Sequence, residues 1–123
     1  MSGNRLLLDT NIVLYLLGGD QTLARILEDK NPYLSFIREL ELYGFKKLTK
    51  AERVKIEKVL SQCTIIDINA GIKSKAIEVR QNQGLKLLDC IIAGTALYLD
   101  IPLFSADKDF SKIEYLNLLS YQK

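Results

Sequence analysis

The sequence alternates between short apolar runs of three or four residues and longer segments whose apolar residues recur every three or four positions. Short apolar runs are typical of buried strands, and the longer periodicity is typical of helices that pack one face against a sheet. The pattern predicts strands at residues 6–8, 33–36, 64–67, 103–105 and 118–121. It predicts helices at about 11–17, 22–27, 37–45, 50–62, 70–83 and 87–99, of which the last is apolar nearly all round and should be buried.

Local signals mark the ends of several of these elements. Thr49 and Glu52 have the spacing of a capping box, in which each side chain accepts a hydrogen bond from the other residue's N–H. Asn69 suits the N-cap of the next helix, and Gly84 suits its C-terminal cap. Pro32 suits the first position of the second strand.

Strands that alternate with helices along a chain predict βαβ units and a parallel sheet. The 123 residues and 48% apolar content are enough for one domain with a stable core, so we expect a single α/β domain over residues 1–123. The central sheet should be mainly parallel, with four to five strands.

The composition excludes several kinds of chemistry. The chain contains no histidine, which excludes Ser-His-Asp catalysis, histidine-ligated zinc and a histidine general base. Cys63 and Cys90 lie in apolar segments with no secretory signal before them, so we expect reduced thiols in a cytoplasmic protein. No apolar stretch approaches the ~20 residues of a membrane span.

The net charge of +2 neither requires nor excludes a nucleic acid partner. Lysines are concentrated in the middle of the chain, where they either contact phosphates or form ordinary solvated helix faces. They are residues 46, 47, 50, 55, 58, 73, 75 and 86.

Three carboxylates occupy positions that suggest a site. Asp9 follows the first strand and Asp107 follows the fourth, so both belong to the carboxyl edge of the sheet, where α/β proteins bind ligands. Asp89 is the only charge in an otherwise apolar helix. Oxygen ligands of this kind suit Mg²⁺ or Mn²⁺. Each acid also has a local interpretation, since Asp9 and Asp89 suit helix starts and Asp107 and Asp109 suit turns.

A fourth acid is open between two positions. Glu39 and Glu41 lie about 200° apart around a helix, so only one of them can face a given site. Glu41 shares a side with Ile37 and Phe45, which favours it.

Four blocks of sequence, at residues 7–11, 35–42, 85–93 and 103–110, together resemble the PIN domain, especially VapC-type toxin ribonucleases. The resemblance covers essentially the whole chain. It departs from the family at Leu88, where many relatives have proline, and at Ser105, where many have threonine. It implies that the acidic quartet, which holds the metal and is catalytic, is Asp9, Glu41, Asp89 and Asp107, with Asp109 as an auxiliary acid and Asn11 and Ser105 as polar supports.

The resemblance further implies a three-layer α/β/α sandwich and a Mg²⁺- or Mn²⁺-dependent endoribonuclease that leaves 5′-phosphate and 3′-hydroxyl ends. It implies a homodimer and a small antitoxin protein as partner.

Two alternatives stay open at this point. A phosphoacceptor receiver domain would use Asp67, but such domains have paired acids after the first strand, whereas Thr10 and Asn11 follow Asp9 here. A catalytically silent PIN-fold binding module would keep the fold and use the acids to hold a structural cation.

Overall fold

A computed structural model of the protein describes residues 4–122, and its centre is a five-stranded sheet in the order β3-β2-β1-β4-β5 with every pairing parallel. The strands are β1 (Arg5–Leu8), β2 (Asn31–Ser35), β3 (Thr64–Ile66), β4 (Leu103–Ser105) and β5 (Leu118–Ser120). The helices are α1 (Thr10–Leu17), α2 (Gln21–Leu27), α3 (Phe36–Tyr43), α4 (Lys50–Leu60), α5 (Ala70–Gln83) and α6 (Leu87–Leu99), with a 3₁₀ helix at Lys108–Lys112.

Successive residues of a strand point to opposite faces of the sheet, and different helices cover those two faces. Leu7 of β1 packs in one core with Val79 of α5 and Ile92 of α6. Leu8 packs in a second core with Val13 of α1 and Ile56 of α4. The predicted three-layer α/β/α fold is confirmed.

The order of the strands opens a crevice beside β1. The chain passes from β1 outward through β2 to β3, and then returns to the other side of β1 for β4 and β5. In open parallel sheets, such a reversal separates the loops and helices that follow the two neighbouring strands. The carboxyl ends of β1 and β4 therefore border the crevice in which a ligand is expected.

The predicted helix ends are present. The Thr49 hydroxyl accepts a hydrogen bond from the Glu52 N–H at 3.1 Å, and the Glu52 carboxylate accepts one from the Thr49 N–H at 3.0 Å. The Asn69 side chain accepts a hydrogen bond from the N–H of Ile72 at 2.8 Å. Gly84 ends α5 in the left-handed region at a φ of 65°, where a residue without a Cβ is favoured.

Two boundaries of β2 differ from the prediction. The strand begins at Asn31, so Pro32 is its second residue rather than its first. β3 pairs with β2 only beyond Pro32, so the missing N–H leaves no gap in that ladder. Phe36 belongs to α3 rather than to the strand, because the Ser35 hydroxyl accepts a hydrogen bond from the N–H of Ile37 and caps the helix there.

Within residues 4–122, no helix combines the length and apolar character that crossing a membrane requires. Both cysteines are free thiols, with Cys63 partly buried and Cys90 buried.

Cys63 should react slowly with alkylating reagents. Burial raises the pKa of its thiol to about 11, which leaves only about 0.1% thiolate at pH 8, against about a quarter for a free cysteine. A thiolate of higher pKa is the better nucleophile, which offsets part of this difference. We expect the rate of modification by iodoacetamide, followed by peptide mass spectrometry, to be about tenfold or more below that of a cysteine-containing peptide. An equal rate would mean that the Cys63 thiol is in contact with water.

Candidate active site

Four segments bring acidic residues to the crevice beside β1. Asp9 directly follows β1, and its N–H donates a hydrogen bond to the carbonyl of Phe104 in β4 at 3.0 Å. Asp107 lies two residues beyond the end of β4. Glu41 lies on α3, which begins where β2 ends, and Asp89 lies in the first turn of α6.

Asp9 is buried and held from several sides. Its Oδ2 accepts hydrogen bonds from the Ser105 hydroxyl at 2.7 Å and from the Asn11 amide at 3.3 Å. The Asn11 oxygen in turn accepts a hydrogen bond from the N–H of Ala106 at 3.1 Å, which ties the start of α1 to the end of β4. Asp9 is the N-cap residue of α1, but its side chain makes no capping hydrogen bond. The carboxylate is therefore directed toward the side chains of Ser105 and Asn11 and not toward the backbone N–H groups at the start of α1.

The residue that connects the acids is Arg38, which the sequence analysis did not identify. Its Nη2 lies 2.5 Å from Asp9 Oδ1 and 3.7 Å from Asp89 Oδ1, and its Nη1 lies 2.7 Å from Glu41 Oε1. Only 6% of the Arg38 side chain is exposed. A signal for it was present, because Arg38 lies four residues before Leu42 and three before Glu41, on the buried side of α3.

Glu41, not Glu39, is the α3 glutamate that shares the Arg38 guanidinium with Asp9. Its Oε1 accepts hydrogen bonds from Arg38 and from the hydroxyl of Thr10, the latter at 3.0 Å. About 37% of its side chain is exposed, so it lies at the open side of the cluster. Glu39 instead lies near Tyr43: burial raises the pKa of the Tyr43 hydroxyl, and the Glu39 carboxylate adds to that rise.

Asp89 lies deeper, with 18% of its side chain exposed. Burial raises the pKa of its carboxyl against the lowering effect of Arg38. The carboxylates of Asp9 and Asp107 raise that pKa further, and Lys86 lowers it. For Asp89, burial therefore outweighs the stabilisation of the carboxylate by Arg38.

Asp107 combines a local role with its place at the crevice. Its N–H donates a hydrogen bond to Ser105 Oγ at 2.9 Å, and its carboxylate accepts one from the N–H of Asp109 at 2.9 Å as the cap of the 3₁₀ helix. Asp107 therefore forms the predicted turn, and it also lies close to Asp89. Asp109 is exposed, and its carboxylate forms an ion pair at 4.0 Å with Lys112, which is also at the surface.

The chemical nature of the ligands suits a hard divalent cation, because four carboxylates and a neighbouring hydroxyl and amide supply oxygen atoms. The arrangement is different: within residues 4–122, no three or more histidine, cysteine, aspartate or glutamate side chains are grouped closely enough to hold a metal ion. The cation at the centre of these acids is the guanidinium of Arg38.

Residues 6–115 match the sequence profile of the PIN domain. The chain belongs to the PIN domain family. PIN domains are generally nucleases, so the crevice with its acids is the candidate active site of this PIN domain. The family match also excludes the receiver-domain alternative.

Similar solved structures agree with this assignment. A chain of a toxin-antitoxin complex from Klebsiella pneumoniae is 29% identical, with a TM-score of 0.81, over 96% of this chain and 99% of that one. A chain of VapBC2 from Rickettsia felis, bound to a DNA fragment from the promoter, is 25% identical, with a TM-score of 0.86, over the same shares. Among curated proteins there is no significant match. The predicted resemblance to PIN domains of the VapC type is confirmed.

Proposed function

We propose that this PIN domain is a Mg²⁺- or Mn²⁺-dependent endoribonuclease and the toxin of a toxin–antitoxin pair. The observation that supports the proposal is that Asp9, Glu41 and Asp89 all face the guanidinium of Arg38, with Asp107 close enough to raise the pKa of Asp89. Carboxylates held this closely repel one another, and such clusters are characteristic of sites that bind cations or carry out catalysis.

The four acids would hold the metal, with Asn11 and Ser105 fixing the orientation of the Asp9 carboxylate. When bound, the metal supplies charge that orients and neutralises the phosphodiester and favours ionisation of the attacking water. The chain contains no histidine, so a carboxylate accepts the proton of that water. The products are a 5′-phosphate and a 3′-hydroxyl.

The proposed partners are RNA, a cognate antitoxin and a second copy of the chain. Lys86 is exposed and close enough to Asp89 to lower its pKa, so it is positioned to contact a phosphate at the crevice. The solved structures from Klebsiella pneumoniae and Rickettsia felis are described as toxin-antitoxin and VapBC complexes, which supports an antitoxin partner here. A cytoplasmic location agrees with an RNA substrate.

The direct test is cleavage of a defined, end-labelled single-stranded RNA by metal-free protein. We expect no cleavage in EDTA, cleavage on addition of excess Mg²⁺ or Mn²⁺, and a decrease in rate with rising salt as phosphate contacts weaken. Mapping the ends identifies the products. Cleavage at full rate in excess EDTA would contradict the proposal.

A catalytically silent binding module is a second candidate, favoured by one observation. The guanidinium of Arg38 already supplies a cation to the acids, so the cluster is satisfied in part without metal. This candidate predicts RNA binding without cleavage at any concentration of Mg²⁺ or Mn²⁺.

A further inference from the structure

We propose that Arg38 is an internal counter-ion that a divalent cation must displace, so that Arg38 sets the metal concentration at which the site is filled. The inference rests on the proposed metal site. Arg38 lies within the sequence block at residues 35–42, but the resemblance did not place it in the site; the inference assigns to it control over metal occupancy.

The geometry makes the guanidinium and a metal compete for the same carboxylates. One planar group donates hydrogen bonds to one oxygen of Asp9 at 2.5 Å and one of Glu41 at 2.7 Å, and it forms an ion pair with Asp89 at 3.7 Å, so it faces three of the four proposed ligands. A divalent ion bound to the same oxygens would lie within a few Å of the guanidinium, where the two positive charges repel strongly at low effective dielectric.

Arg38 cannot give up its charge to make room. A guanidinium remains protonated in proteins throughout the ordinary pH range. Movement of the side chain is therefore the available route. The route leads past Glu41, whose side chain is about 37% exposed, whereas those of Asp9 and Arg38 are only 5% and 6% exposed.

The carboxylates hold Arg38 at one edge only. Its Nε is buried without a hydrogen-bond partner among the described residues, and a buried unsatisfied donor is unfavourable by about 1–3 kcal/mol. Release of the guanidinium to water would relieve this, once another cation neutralises the acids. The buried arginine is thus positioned by the same charges that would attract the metal.

The test compares Mn²⁺ affinity in three variants, measured from the electron paramagnetic resonance signal of free Mn²⁺. Arg38→Met keeps an unbranched apolar stem and removes the charge, and we expect its Kd for Mn²⁺ to be about tenfold or more below the wild-type value. Arg38→Lys keeps a positive charge that competes with the metal, so its Kd for Mn²⁺ should stay close to the wild-type value. Arg25→Met, at an exposed position on α2, changes the net charge equally and should leave the Kd unchanged.

A measurement on the wild-type protein avoids any folding defect of the variants. In ¹⁵N spectra of the arginine side chains, Mg²⁺ titration should shift the Arg38 Nε resonance over the same concentration range that fills the site. Equal Mn²⁺ affinity in the wild type and Arg38→Met, or metal binding with an unchanged Arg38 resonance, would overturn the inference.

The outcomes also separate this inference from the proposed function. Tighter Mn²⁺ binding in Arg38→Met without RNA cleavage by any form would support the counter-ion and contradict the ribonuclease. Metal-dependent cleavage, together with an equal Mn²⁺ affinity in the wild type and Arg38→Met, would support the ribonuclease and contradict the counter-ion. Failure of every form to bind Mn²⁺ would contradict both.

Discussion

Asp89→Asn should lower the rate of metal-dependent RNA cleavage by about 100-fold or more while leaving the fold at least as stable. Loss of one preorganised group that stabilises charge in a transition state typically lowers kcat by about 10²–10³. The stability follows from the pKa of Asp89, which burial raises, with the carboxylates of Asp9 and Asp107 adding to that rise. Asparagine has nearly the same shape without the charge.

The sign of the pH dependence follows from this raised pKa. The folded state binds the Asp89 proton more tightly than the unfolded state, so ionised Asp89 subtracts from stability at neutral pH. This destabilisation disappears as the pH falls through the pKa of Asp89 in the folded state and then through the ordinary pKa of an aspartate. Metal-free Asp89→Asn should therefore melt at or above the wild-type temperature at pH 7, and the difference should shrink toward acid pH. Circular dichroism melts of both forms measure it.

Two further substitutions serve as controls for Asp89→Asn. Asp100→Asn changes an exposed carboxylate at the opposite end of α6, at a φ of 55° that asparagine readily adopts, and should keep full activity. Asp9→Asn should lose activity and also stability, because the Asp9–Arg38 pair is buried and breaking such a pair costs up to about 3–5 kcal/mol. Wild-type cleavage by Asp89→Asn would remove Asp89 from the active site.

Gly94→Ala should destabilise the protein by about 1–3 kcal/mol, even though alanine is the better helix former by about 1 kcal/mol. A Cβ at Gly94 would lie 2.7 Å from the backbone N of Ala76, 3.0 Å from its Cα and 3.1 Å from the carbonyl oxygen of Ile72. These are backbone atoms of α5, so relief requires the two helices to separate. Gly94→Val should fail to fold.

Gly18→Ala is the matched control for this second prediction. Gly18 has a φ of −80°, and an added Cβ would meet its nearest atom at an ordinary 3.4 Å. Urea unfolding of both alanine variants measures the free energy of unfolding. Equal stability of Gly94→Ala and the wild type would mean that α5 and α6 do not approach so closely.

Much of the fold was predictable because its signals are local. The hydrophobic periods indicated the strands and helices, and the pair Thr49 and Glu52 marked the start of α4. Asn69 and Gly84 bounded α5 in the same way. The close approach at Gly94 was not predictable, because an apolar helix with a glycine has the same pattern whether or not another backbone lies against it.

The same distinction between local and tertiary signals applies to the candidate site. The sequence by itself determined which acids follow β1 and β4, that Asp89 lies in the first turn of an otherwise apolar helix, and that no histidine is available. Only the tertiary structure decided that Arg38 joins Asp9, 29 positions away, to Glu41 and Asp89. Helical periodicity indicates which face of α3 is buried, but how α3 and α6 dock beside β1 determines which charges meet there.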